Sequence, residues 1–147
     1  MTAPSSVDPW LVAAGCASAV ASALHLAIIA GGPRWYRFFG AGEGMARAAA
    51  QGKWQPAAIT VAIALVLAVW AAYAFVGAGA IGDPGLPLLR TALCAITAIY
   101  LLRGAVIVPA LVRPVTAATS FAIWSSAICV AIGLVHLVGL LRAWPRL

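Results

Sequence analysis

Four long apolar stretches fill most of this 147-residue chain and determine which solvent its fold requires. At about 1.5 Å per helical residue, each stretch is long enough to cross a hydrocarbon core of about 30 Å. Inside lipid every backbone N–H and C=O group needs an internal partner, so each stretch predicts a helix. The predicted spans are Trp10–Ala30, Trp54–Val76, Leu86–Ala110 and Ala117–Leu141.

The composition supports a membrane protein rather than a soluble one. Hydrophobic residues make up 65% of the chain and charged residues 8%, whereas soluble domains are about one quarter charged. The longest connection between spans, Gly31–Lys53, leaves little room for a separate soluble domain. We therefore expect an all-α integral membrane protein in which residues 1–147 form one four-helix transmembrane bundle.

The basic residues favour membrane lipids as partners and give no indication of nucleic acid. Nine Lys and Arg residues give a net charge of +6, but they are scattered along predicted loops and helix ends, where lipid headgroups attract them. Four spans with short connections are typical of bacterial inner-membrane proteins. Most Lys and Arg residues lie on the side of the Gly31–Lys53 connection, so the positive-inside rule places that side in the cytoplasm and both termini in the periplasm.

The Gly31–Lys53 connection is unusual for a linker because it combines arginines with four aromatic residues. This pattern predicts an amphipathic segment that lies at the membrane interface or re-enters the membrane. Glycines at positions 40, 42 and 44 precede a short helix-forming run. Such glycines either expose backbone N–H groups to an anion or only permit a tight bend, and the sequence leaves both interpretations open.

The candidate functional residues fall in the half of the bundle next to this connection. Arg103 lies about six residues inside its span, and Glu43 is the nearest acidic side chain that is available to pair with it. A charge at membrane depth needs such a partner and often marks a site. We expect Glu43 and His25 to be the acid–base residues, while His136 belongs near the opposite face. The predicted ligand-binding residues are Arg103, Arg34, Arg37, Tyr100, Thr60 and Ser126.

No pattern in the sequence indicates a cofactor or a metal. Two histidines on opposite faces cannot share a metal ion, and the three cysteines are unpaired in sequence. The G-x-G-x-x-G run at Gly77–Gly82 follows a predicted membrane span instead of a strand, so it is a turn and not a dinucleotide fingerprint.

The leading functional hypothesis is a protein that binds an amphipathic ligand of lipid or isoprenoid type, with acid–base chemistry on that ligand as a sub-case. A small oligomeric transporter or channel is the first alternative, and a non-catalytic accessory subunit is the second. Small residues recur at a spacing of four, at Ala14, Ser18 and Ser22 and at Ser125, Cys129 and Gly133. They favour close packing of helices within the chain, with a homodimer seam as the alternative.

The predicted orientation is testable with a reporter fused after Leu147. A reporter that works only in the periplasm should be active at this position. The arginine-rich Gly31–Lys53 connection is predicted to lie in the cytoplasm, which places both termini on the periplasmic side. Activity of a reporter that works only in the cytoplasm would reverse the assignment.

Overall fold

The computed structural model describes residues 7–82, 84–105 and 117–147, and these residues form α-helices, turns and one short 3₁₀ segment without any strand. The all-helical prediction is confirmed for this part of the chain. The helices are α1 (Pro9–Phe38), α2 (Glu43–Ala50), α3 (Gln55–Gly77), α4 (Leu89–Ala105) and α5 (Ala117–Ala143), followed by the 3₁₀ turn Trp144–Arg146.

Three helical segments are long and apolar enough to cross a membrane: α1, α3 and residues 121–146. The described part of α4 has 17 residues, and the predicted end of its span at residues 106–110 lies outside the described residues, as does the 111–116 connection. The helix begins at Leu89 and not at the predicted Leu86, because Pro87 and Leu88 form a turn in which Leu88 has a φ of 52°.

Helix packing depends on small residues at the helix contacts. Helix α1 packs along α3, α4 packs along α5, and contacts between α1 and α5 join the two pairs. A Cβ atom added to Gly139 on α5 would lie 2.8 Å from the backbone nitrogen of Leu11 on α1, and one added to Gly104 would lie 3.1 Å from the carbonyl oxygen of Ser126. Of the predicted small-residue stripes, Gly133 makes a similar contact, since an added Cβ would lie 3.2 Å from the backbone nitrogen of Leu101 on α4, and Ser18 is buried on α1.

Helix α1 differs from the sequence prediction, which ended it at Ala30. The backbone leaves the helical region at Gly32, with φ 64° and ψ −153°, and a further helical segment then continues to Phe38. Proline is tolerated in the first turn of a helix because the missing N–H has no intrahelical acceptor there, so Pro33 starts this second segment instead of ending the first.

The N-terminus of α1 is fixed by a buried carboxylate, and its sequence, Asp8 followed by Pro9, is typical of a helix start because Asp is a favoured N-cap and Pro a favoured first helical residue. Asp8 is 5% exposed and its Oδ1 accepts hydrogen bonds from the backbone N–H groups of Trp10 and Leu11, each at 3.0 Å. Its Oδ2 lies 3.5 Å from Nε of Arg142 and 3.9 Å from Nη2 of Arg146. One side chain thereby caps α1 and ties it to the end of α5.

The long connection is ordered and packs against the helices. Tyr36 is 3% exposed and forms an apolar cluster with Ile28 on α1 and Ala46 on α2. The Thr60 hydroxyl on α3 uses its one hydrogen to donate to the Pro56 carbonyl at 2.8 Å. It therefore accepts a hydrogen bond from the Tyr36 hydroxyl at 3.2 Å. This hydrogen bond anchors the connection to α3.

The packing at Gly139 predicts a measurable cost for one added methyl group. Gly139→Ala should destabilise the protein by about 1–3 kcal/mol, because the Leu11 backbone cannot move away without separating α1 from α5. Gly44→Ala on α2 is the matched control, since its added Cβ meets nothing within 4 Å. The check is thermal unfolding in detergent, and equal stability of the two variants would contradict the close approach of α1 and α5.

Candidate functional site

A cleft of about 520 Å³ opens where the long connection meets α4 and α5. We call it the arginine cavity, because two arginines from different helices, Arg37 and Arg103, line it. Phe38 and Phe121 supply apolar surface beside these guanidinium groups. Its walls are formed by Arg37, Phe38, Gly40, Gly42, Glu43, Arg103, Phe121, Ala122 and Ser125.

Arg103 is held in the cavity wall by two neutral hydroxyl groups. Its Nη1 donates to Ser126 Oγ and its Nη2 donates to Ser125 Oγ, both at 3.2 Å. Ser125 also donates to the Ala122 carbonyl at 3.1 Å, which fixes the hydroxyl as an acceptor for Arg103. The guanidinium is therefore oriented by α5 while its positive charge keeps no carboxylate partner among the described residues.

The predicted ion pair between Glu43 and Arg103 is not formed. Glu43 instead pairs with Arg37, whose Nε lies 3.2 Å from Oε1 and 3.3 Å from Oε2. The reason is local geometry: the turn at Gly40–Gly42 folds the start of α2 back onto the end of α1, which places the two side chains side by side. Arg47, four residues after Glu43 on α2, donates through Nε to the backbone carbonyl of Glu43 at 3.3 Å.

The N-terminus of α2 adds a second source of positive potential at the arginine cavity. Gly42, with φ 89°, precedes the helix and supplies no side-chain cap, and both Gly42 and Glu43 line the cavity. The first N–H groups of a helix have no intrahelical acceptor and carry a partial positive charge.

A second cleft of about 560 Å³ lies beside the first, and Phe38 lines both. We call it the aromatic cavity, because three of its five lining residues are aromatic. Arg34 is its one charged lining residue. The complete lining is Gly31, Arg34, Trp35, Phe38 and Phe39.

Five of the eight predicted site residues gather at these two clefts or at the groups that support them: Glu43, Arg37, Arg103, Ser126 and Arg34. The other three lie elsewhere. His25 Nδ1 donates to the Ala21 carbonyl of its own helix at 2.8 Å, and Thr60 bonds Tyr36. Tyr100 contacts a buried histidine instead of the cavity. Glu43 is thus the one predicted acid–base residue that lines either cleft.

The sequence places His136 near the opposite face from the candidate site, and in the structure this residue lines neither cleft but makes a buried contact with Tyr100. His136 is fully buried, stacks on Tyr100 with ring centroids 5.4 Å apart, and lies 3.4 Å from the Ser18 hydroxyl through Nε2. Side chains lean toward the N-terminus of their own helix, and α4 and α5 run in opposite directions, so the two rings converge. The small-residue spacing is a signal for this, since His136 follows Gly133 on the same face of α5.

Comparison of the chain with protein-family models, with curated proteins and with solved structures finds no significant match.

The observed pairing of Glu43 predicts the outcome of two double-mutant cycles on unfolding in detergent. Arg37→Gln and Glu43→Gln should be coupled by about 0.2–1 kcal/mol, the range for exposed ion pairs, since both side chains are about half exposed or more. Arg103→Gln and Glu43→Gln should be additive. Coupling in the second cycle that exceeds coupling in the first would restore the pair predicted from the sequence.

Proposed function

We propose that this protein is an integral membrane protein with four spanning helices. The outer surface of the helices supports this proposal. In the most apolar 18 residues of each candidate span, only 17–33% of the residues are buried within the chain. Large apolar side chains such as Val20, Leu65 and Leu102 are at least 60% exposed, and water is a poor solvent for such a surface. Exposed Trp54 and Trp124, at 73% and 69%, fit the headgroup region.

The same proposal places the long connection and both clefts at the cytoplasmic surface of a bacterial inner membrane, with the termini in the periplasm. The charge distribution supports this orientation, because Arg34, Arg37, Arg47, Lys53 and Arg103 lie toward the clefts. Asp8, Arg90, Arg142 and Arg146 lie toward the other end.

We infer that the two clefts bind an amphipathic ligand with an anionic headgroup, such as an acidic lipid or an isoprenoid phosphate. The observation that carries this inference is the uncompensated charge of Arg103. Of the two acidic residues that the structure describes, Asp8 pairs at the far end and Glu43 pairs with Arg37. An anion from outside the chain would complete the charge balance.

The cleft geometry assigns roles to the residues around that anion. Arg103 supplies a guanidinium oriented by two serines. Arg37 supplies the N–H groups that do not bond to Glu43. The N-terminus of α2 supplies backbone N–H groups. The aromatic cavity adjoins this position through Phe38 and offers rings for the first apolar segment of the ligand. Arg34 stands at the rim of that second cleft.

Acid–base chemistry on the ligand is the catalytic sub-case of this proposal, and its residue is Glu43 alone. Glu43 is 64% exposed and lines the arginine cavity, so its carboxylate faces the position assigned to the headgroup. His25 has no place in this mechanism, because it lines neither cleft.

The binding proposal predicts opposite effects for two substitutions in the same cleft. Arg103→Gln should weaken retention of phosphatidate roughly tenfold, since one charge-assisted hydrogen bond contributes about 1.5–3 kcal/mol. Glu43→Gln should strengthen it, because the substitution removes a negative charge from the cavity wall. Native mass spectrometry of protein released from phosphatidylcholine nanodiscs with added phosphatidate measures both changes.

Arg90→Gln is the matched control, because Arg90 lies at the far end, where it bonds the Trp144 carbonyl at 3.1 Å. Its phosphatidate retention should equal that of the unmodified protein, and phosphatidylcholine retention should not change in any variant. If Arg90→Gln weakened retention as much as Arg103→Gln, general charge attraction would replace a specific site.

A further inference from the structure

One residue from each of the four long helices meets in a buried layer that the ligand site does not use. Ser18 lies on α1, Trp70 on α3, Tyr100 on α4 and His136 on α5. Tyr100 packs edge-on against Trp70 at 5.1 Å and parallel to His136 at 5.4 Å between ring centroids. Ser18 and His136 are 0% exposed and Tyr100 is 5% exposed.

The hydrogen bonds of this layer can run in two directions, and one direction satisfies more donors and acceptors than the other. The Tyr100 hydroxyl lies 3.0 Å from Ser18 Oγ, which lies 3.4 Å from His136 Nε2. If Tyr100 donates to Ser18 and Ser18 donates to Nε2, every hydroxyl hydrogen is used and the neutral ring carries its proton on Nδ1. In the reverse direction the Tyr100 hydroxyl hydrogen has no acceptor among the described residues.

His136 Nδ1 is buried and has no hydrogen-bond partner among the described residues. An unpartnered polar atom in a dry interior is costly, so native structures keep one mainly where it serves a function. An ionisable side chain inside a membrane span is also rare without a functional role. The His136 ring therefore has an Nε2 lone pair that accepts a hydrogen bond from Ser18. Its buried Nδ1 without a partner is not explained by packing alone.

A line of polar side chains runs from this layer to the arginine cavity. Ser126 is fully buried and accepts from Arg103. Cys129 lies between Ser126 and His136 on α5. It packs against the cluster of Leu67, Ile96 and Tyr100. Ser126 and His136 are ten residues apart on α5, about 15 Å along the helix axis.

We propose that His136 is a buried proton-binding site, with Ser18 and Tyr100 as positioning residues, and that its occupancy is linked to anion binding in the arginine cavity. The linkage rests on the proposed ligand site, whereas the proton site does not. A proton from water adds to the Nε2 lone pair, and no covalent bond to a heavy atom breaks. The imidazolium then donates to Ser18, Ser18 turns to donate to the Tyr100 oxygen, and the Tyr100 hydroxyl hydrogen loses its acceptor.

The electrostatic linkage has a definite sign. An anion beside Arg103 attracts the added charge on His136, so each ligand strengthens binding of the other. At about 15 Å and an effective dielectric constant near 20, the effect is roughly sixfold in proton affinity. The other titratable or charged side chains on the surrounding helices are Cys16, His25, Arg34, Tyr36 and Arg37 on α1, with Asp8 just before it, Tyr73 on α3, Arg90, Cys94 and Arg103 on α4, and Cys129 and Arg142 on α5, with Arg146 beyond it.

NMR of protein with ¹⁵N-labelled imidazole rings, in phosphatidylcholine nanodiscs, tests the proton site. The chain has only two histidines, so His136→Gln assigns both signals. At high pH we expect His136 to be neutral with its proton on Nδ1, and we expect the imidazolium to appear reversibly as the pH falls. Ser18→Ala should abolish the Nδ1–H preference while the fold is retained. A ring that carries its proton on Nε2, or that stays neutral until the protein unfolds, would overturn the proposal.

The linkage is tested by adding phosphatidate to the same nanodiscs. The proton affinity of His136 should rise roughly sixfold in the unmodified protein and not in Arg103→Gln. An equal His136 response in both proteins would remove the linkage. If native mass spectrometry shows that phosphatidate is bound while His136 is unaffected, the linkage alone fails. If no phosphatidate binds, the proposed function fails, and the titration in phosphatidylcholine nanodiscs still decides the proton site.

Discussion

Close contact between helix backbones is the interaction on which the rest of this structure depends. Gly139 lets α5 approach the backbone of α1 at Leu11, and Gly104 lets α4 approach the Ser126 carbonyl on α5. These contacts place Ser18, Tyr100 and His136 within reach of one another although they are separated by 82 and 118 residues along the chain. They also set Ser125 and Ser126 opposite Arg103. A larger side chain at Gly139 or Gly104 would increase the distance between the helices. The hydrogen bonds of Ser18 with Tyr100 and His136, and those of Arg103 with the two serines, depend on that distance.

The distribution of charge divides the molecule into two ends with different chemistry. At the N-terminal end, buried Asp8 is matched with Arg142 and Arg146, so the positive charge there serves to join α1 to α5. At the other end the single carboxylate of Glu43 is matched with Arg37, and Arg103 is left with hydroxyl partners. The first end is closed by its own ion pairs. The second end is arranged so that an external anion would balance it, and this difference supports the proposed ligand site.

The long connection is where the sequence prediction was most informative and where its details most needed correction. The aromatic and arginine content predicts an ordered amphipathic segment, and Tyr36 and α2 confirm that it is ordered and packed against the helices. The break of α1 at Gly32 and the turn at Gly40–Gly42 determine which charges meet, and neither is predictable from residue type. A glycine permits a positive φ but does not require one.

The sequence by itself determined the helical class, the approximate positions of the helices, the cap at Asp8 and the end of the molecule at which basic residues collect. These properties depend on local composition, on hydropathy and on the cost of unpaired backbone groups. Only the tertiary structure decided that Glu43 pairs with Arg37, that Arg103 bonds two serines, and that His136 meets Tyr100 and Ser18. Those outcomes depend on helix rotation, on the direction in which side chains lean and on distances of a few ångströms between residues far apart in sequence. Sequence spacing along a single helix shows which residues share a face, but it does not give their distances to residues on other helices.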